Sequence, residues 1–279
     1  MSIDELKNFF KIEKYHINYA LQAQNKIGLK EKKVLEVGGS LPKGFVKDYL
    51  CSEQWICIEQ MEWWKKYTKK NIYGKSQKKI AEMNLINITS YENLSDYQII
   101  EGKIEDLPEC LYNCFDVIFS IAAFEHLTNF PLALYNMLKA LVKGGILFSM
   151  FAPIWSAHNG HHLPTIIDKS GREIDFGHSP IPPWGHLLMR PPVLYKYLLD
   201  YTDTVTASKI VNKVYHSSHI NRLFVEDYLD YIDNSDFNKL RIELFDEIDV
   251  YSEIQKQLET LHPGRKYFGN NGIMIILQK

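Results

Sequence analysis

The chain has 279 residues, 46% of them hydrophobic, with a formal net charge of -2, and is long enough to bury a full core without metal or disulfide staples. Its 32 basic residues against 34 acidic ones leave no basic field to hold a phosphate backbone, so nucleic acid is not expected as a partner. The opening MSIDELKNFFKIEK lacks an apolar signal region, the stretch from Ile146 to Trp155 is too short and interrupted to span a bilayer, and four cysteines without zinc-site spacing suit a reduced, cytoplasmic protein.

In chain order, Lys33 to Val37 is an apolar run ending in Gly38-Gly39, the pattern of a buried strand entering a tight turn. Phe45 to Leu50 is helical, and Trp55 to Ile58 is a second buried strand closed by Glu59. An amphipathic region follows from Glu62 to about Ile86, whose lysines between Lys65 and Lys79 read as a solvated helix face. Gln98 to Ile100 and Phe115 to Phe119 give the third and fourth strands. Pro131 opens a helix running to Val142, Lys143-Gly144-Gly145 stops it, and Ile146 to Phe151 is the fifth strand. This alternation predicts an α/β fold with a doubly wound, mostly parallel sheet.

The pattern then changes. Residues 152–190 carry little periodicity but are rich in His, Pro, Gly and Trp, and five of the ten histidines fall between His158 and His186. An irregular segment of this length inside a domain is expected to be functional. Helical patterns return at Pro192 to Tyr201 and Phe224 to Ile232. Leu240 to Leu244 alternates as a strand, Ile254 to Leu261 as a helix, and Gly272 to Leu277 as a terminal strand.

A glycine turn after a first parallel strand lets the backbone approach a ligand at the carboxyl edge of the sheet. Glu59, 20 residues past Gly39, is placed to accept both hydroxyls of an adenosine ribose. Glu101 to Pro108 follows the third strand, Phe124-Glu125-His126-Leu127 follows the fourth, and Leu138 to Gly145 precedes the fifth. This ordered series resembles the class I S-adenosylmethionine-dependent methyltransferases of small molecules, over residues 33–151.

The resemblance implies a Rossmann-like sheet of seven strands with a large insertion after the fifth, the two C-terminal strand patterns supplying the sixth and an antiparallel seventh. It implies S-adenosylmethionine as cofactor, with Glu36, Gly38 and Gly39 along the methionine part and Glu59 with Gln60 at the ribose. Ile104 and Glu105 would flank adenine, and Ser120 would lie near the methionine amine. The chain departs from the family at Ser40, where a third glycine is frequent two positions later, and at Lys103, where an adenine-contacting Asp is common. The chain divides accordingly into 1–151 (N-terminal helix and cofactor half), 152–222 (acceptor-binding insertion) and 223–279 (completion of the sheet).

Methyl transfer is an in-line displacement that depends on holding the acceptor about 3–3.5 Å from the methyl carbon. A hydroxyl acceptor must also lose its proton, which calls for a base or a metal. His161 or His162 is expected to be that base, with His126 a second candidate. His158, His178 and His186 are expected as acceptor contacts, and Trp155 and Trp184 as ring faces against a sugar. Arg222 suits an anionic group on the acceptor. The alternative to a histidine base is a divalent transition metal held by His158, His161, His162 and His186, with Asp175 or Glu125 as the nearest carboxylate.

The expected reaction is methylation of a hydroxyl on a small polar acceptor, a sugar or nucleotide-sugar, and thus carbohydrate modification. N-methylation of a small amine, and a non-catalytic relative acting through a partner, stay open as alternatives.

Overall fold

The computed structural model describes residues 1–39, 41–60 and 83–279; Ser40 and the lysines from Lys65 to Lys79 lie outside them. Two helices lead the chain. In α1 (Ile3–Phe10), Ser2 and Glu5 cap one another reciprocally, each side chain accepting from the other's backbone N–H. In α2 (Lys14–Ile27), His16, Ile17, Ala20 and Ala23 form one buried stripe, the spacing that lets a helix lie on a sheet.

Five parallel strands follow: β1 (Lys33–Val37), β2 (Gln54–Glu59), β3 (Tyr97–Glu101), β4 (Phe115–Ile121) and β5 (Leu141–Phe151). They lie in the order β3-β2-β1-β4-β5, with Leu35 of β1 facing Ile56 on one side and Ile118 on the other. The sheet closes with β9 (Asn270–Gln278), antiparallel to β5, and β8 (Asn238–Glu247) outside it, giving seven strands. Strand alternation separates two apolar layers. Leu35 and Val37 pack under α3 (Phe130–Ala140) and α7 (Val225–Asp233), while Val34 packs with Ile17, Ala20 and Ala23 of α2.

One boundary differs from expectation. α3 ends at Ala140, and Lys143-Gly144-Gly145 belong to β5 rather than to a helix stop. Cross-strand bonding decides this: Leu141 pairs with Phe115, and the Gly144 N–H donates to the carbonyl of Lys279. The pairing resumes at Val117 and Ile146 after a register shift.

Between β5 and α7 lies a hairpin of β6 (Ile166–Ile167) and β7 (Glu173–Ile174), then α4 (Gly185–Leu188), α5 (Pro191–Leu198) and α6 (Thr204–His216). These elements have their own core, in which Trp155, Trp184, Leu194, Ile210 and Val214 pack with Leu258 of α8 (Ser252–Leu261) and with Phe268. α6 has no counterpart in the sequence reading; it starts where the Asp203 carboxylate accepts from the N–H groups of Val205 and Thr206. Among the described residues, no helix is long and apolar enough to cross a membrane.

Candidate active site

The carboxyl ends of β1, β2, β4 and β5 open onto one cavity of about 900 Å3. One half is built by the first three strands. Gly38 and Gly39 both take positive φ, 73° and 76°, a conformation that costs glycine little. A Cβ on Gly38 would fall 2.3 Å from the Cβ of Ala123, so the turn is also a close approach between the β1 and β4 loops. Glu59, at the end of β2, accepts from the N–H of Gly39 at 2.5 Å and from that of Gln60 at 2.7 Å. Gly38, Gly39, Glu59, Gln60, Gly102, Lys103, Ile104 and Glu105 all line this half. Here Lys103 occupies the rim beside Ile104, at the position where an acid is common in the family it resembles.

This donor set fits S-adenosylmethionine. A carboxylate has about four lone-pair sites, so Glu59 can bond backbone and still accept from ribose hydroxyls. The glycine turn, free of side chains, lets backbone lie close to a ligand, and Ile58 and Ile104 supply apolar wall for a base.

A family model described as a methyltransferase domain matches residues 61–149. Residues 61–149 are thus similar to a methyltransferase domain. The matched segment takes in β3, β4, α3 and most of β5, whereas the glycine turn and Glu59 precede it. The chain is similar in structure to a Listeria monocytogenes putative S-adenosylmethionine-dependent methyltransferase (12% identity, 95% of this chain and 99% of that one covered, TM-score 0.48). It is also similar to a Mesorhizobium loti S-adenosylmethionine-dependent methyltransferase (12% identity, 93% and 96% covered, TM-score 0.46). A third is a Thermotoga maritima methyltransferase described as a possible histamine N-methyltransferase (13% identity, 99% and 95% covered, TM-score 0.45). No curated protein sequence matches the chain.

Two of the expected cofactor residues, Glu36 and Ser120, lie behind the cavity rather than on it. Glu36 is fully buried, accepts from the indole N–H of Trp55 at 2.6 Å and from the N–H of Leu41, and so braces the glycine turn from beneath. Burial pushes its carboxyl up to about 8. Ser120 is also fully buried, its hydroxyl donating to the Val37 carbonyl at 2.6 Å, which ties β4 to β1. Glu105 does reach the cavity, and accepts from the N–H groups of Thr128 and Asn129, which joins the β3 and β4 loops.

The other half of the cavity is walled by α2, the β4 and β5 loops, the insertion and the end of β8. Tyr15, His16 and Tyr19 come from α2, Glu125 and His126 from the β4 loop, and His162, Phe176, Lys213 and His219 from the insertion. The His126 ring centroid lies 5.1 Å from that of His162 and 5.3 Å from that of His219. His126 Nδ1–H donates to the His219 carbonyl at 2.6 Å, since a carbonyl can only accept; Nε2 is then the basic nitrogen. His162 Nε2–H donates likewise to the Pro153 carbonyl at 2.5 Å, leaving Nδ1 as its basic nitrogen. Burial holds the pKa of both imidazoles below the ordinary value of 6.5, so both are neutral near pH 7. His162 also holds a positive φ of 44°, an uncommon backbone state for a residue with a side chain.

Of the other insertion residues expected at the site, His161, His186, Trp155 and Trp184 are buried in the insertion instead of lining the cavity. His161 is 3% exposed, its Nδ1 accepts from the Leu163 N–H at 3.2 Å, and it packs near His186 (ring centroids 5.7 Å). His186 donates to the Trp155 carbonyl at 2.8 Å and packs on the Trp155 ring. Burial lowers these two imidazoles to about 4 and about 3. Trp155 and Trp184 are buried, the indole of Trp184 donating to the Phe268 carbonyl, so neither ring offers a face to an acceptor. His158 lies beside Trp184, with its Nδ1 buried and without a partner. His178 is exposed and pairs with Asp175 at 3.1 Å, away from the cavity.

Arg222 caps α6 rather than awaiting an anion: it donates to the carbonyls of Val214 and Ser217 and lies over the Trp155 ring. The four-histidine metal set is likewise not assembled. His162 faces the cavity, His161 and His186 the insertion core, and no cluster of three or more ligands suited to a metal exists among the described residues.

Sequence reasoning missed the α2 side of the site, while the segment from His219 to Arg222, expected near the acceptor, brings His219 but not Arg222 to the cavity. An aromatic pair at i, i+4 (Tyr15 and Tyr19) is a weak signal without the knowledge that α2 overhangs the sheet edge.

Proposed function

We propose that the protein transfers a methyl group from S-adenosylmethionine to a hydroxyl of a small polar acceptor, with His126 as the base. The observation that carries this reading is one cavity that joins the Gly38-Gly39 turn and Glu59 carboxylate to two neutral imidazoles with fixed tautomers. Bound S-adenosylmethionine supplies a methyl group on a sulfonium, already activated for displacement. Glu59 and the backbone of Gly38 and Gly39 hold the cofactor. His126 takes the proton from the acceptor hydroxyl at Nε2, while the His219 carbonyl keeps Nδ1 protonated and stabilises the imidazolium that forms. His162, packed edge-on to His126, orients the acceptor. A sugar-sized acceptor suits the cavity volume, with the Phe176 ring in place of the two buried indoles. Calorimetric titration with S-adenosylmethionine tests the cofactor reading, and an absence of binding at millimolar concentration refutes it. A screen of hydroxylated acceptors, read by conversion to S-adenosylhomocysteine, tests the reaction; turnover confined to acceptors without a hydroxyl refutes O-methylation.

A further inference from the structure

Glu125 stands out among the cavity residues that the proposed reaction leaves unused. It follows β4 directly before His126, is only 1% exposed, and contributes to the cavity wall. Its Oε2 is buried and has no hydrogen-bond partner. A buried carboxyl oxygen without a partner costs a folded protein free energy, so its persistence at a cavity wall calls for a ligand. The groups facing it come from three elements: Tyr15 and Tyr19 of α2, which share the cavity wall and whose phenols are raised first by burial, Tyr228 of α7, whose hydroxyl donates to Asn221, and Asp246 at the end of β8, also on the cavity wall. Tyrosine faces and carboxylates together favour a cation.

We infer that Glu125, with Tyr15 and Tyr19, forms a subsite for an alkylammonium group on the acceptor. This rests on the methyltransferase reading above and names its acceptor class: an amino alcohol or amino sugar. Burial sets the Glu125 carboxyl at about 8, so it is protonated before the ligand arrives. On binding, it releases that proton to solvent and pairs as a carboxylate with the ammonium. A nitrogen held in its protonated form has no lone pair to attack a methyl group. The subsite therefore anchors the amine and leaves the hydroxyl to be methylated beside His126.

The test uses the full chain loaded with S-adenosylhomocysteine. Glucosamine and ethanolamine are titrated against their neutral counterparts, glucose and ethylene glycol, on wild type and Glu125→Gln. The expected result is at least tenfold tighter binding of the amines to wild type, loss of that advantage in Glu125→Gln, and an unchanged S-adenosylhomocysteine Kd. An amine preference that is absent from wild type, or that survives in Glu125→Gln, overturns the proposal. So does a tenfold weakening of S-adenosylhomocysteine in the variant with no change for its deaminated analogue, because the ammonium would then be the cofactor's own. Should Glu125→Gln fail to fold, proton release on glucosamine binding to wild type, measured in buffers of different ionisation enthalpy, decides instead; no release overturns the subsite. Failure of S-adenosylhomocysteine to bind wild type is a separate result, which removes the cofactor reading itself.

Discussion

The Glu59 carboxylate accepts a hydrogen bond from the backbone N–H of Gly39, 20 residues earlier in the chain. The end of β2 and the turn after β1 are thus locked into one surface, and Glu59 serves both the turn and the ribose expected above it. Glu59→Ala should weaken S-adenosylhomocysteine binding by about 10–100-fold, from hydrogen bonds to a charged group worth about 1.5–3 kcal/mol each. Calorimetry measures this; an unchanged Kd removes Glu59 from the site.

Gly38 is constrained from two directions, by its φ of 73° and by Ala123 at 2.3 Å from any added Cβ. Gly38→Ala should cost about 1–3 kcal/mol of stability, the usual range for overpacking, and should displace the β4 loop that carries Glu125 and His126. Urea unfolding reads the first effect. A variant of wild-type stability would mean that the two loops are not in contact.

For His126, the base role predicts that His126→Ala lowers kcat by about 10^2–10^4 while the cofactor Kd stays unchanged. The base must be neutral, and its pKa lies below 6.5. Accordingly kcat/KM should be level through pH 7 and fall only on acidification below 6.5. An acid limb centred above 6.5 would assign the titration to another group.

Buried ionisable groups also shape the stability of the unliganded protein. His16, His161 and His186 have pKa values lowered to about 4, about 4 and about 3, so the unfolded chain binds more protons below 6.5 and stability is lost as pH falls. Glu36 and Glu125 are raised to about 8, so the folded chain holds more protons between 4.5 and 8 and stability is lost as pH rises. From 6.5 to 8 only the carboxyls act; below 6.5 the histidines outnumber them. Stability should therefore peak near pH 6.5, with a limiting slope of about 1.4 kcal/mol per pH unit for each net proton. Thermal melts from pH 5 to 8 check this, and a maximum at pH 8 would contradict it.

The sheet was readable because buried parallel strands are written as short apolar runs with turn residues at their ends, as in Lys33–Val37 before Gly38. Glu59 was readable for the same reason: its place at a strand end follows from the run before it. The acceptor side was not readable in this way. Neighbouring histidines in an aperiodic segment carry no signal of direction, so His161 and His162 look alike in sequence. The positive φ at His162 helps turn one toward the cavity and the other into the core. Trp155 and Trp184 misled for a related reason, since large rings fill a small local core as readily as they face a ligand. Tyr15 and Tyr19 reach the site only through the docking of α2, a contact across more than a hundred residues.

The position of β9 bears on how the molecule is made. Residues 270–278 are threaded between β5 and β8, so during synthesis β5 stays an open edge until more than a hundred further residues have emerged. The nascent chain has to keep this exposed apolar border from pairing with its neighbours on the polysome, and the nine-residue β9 acts as its seal.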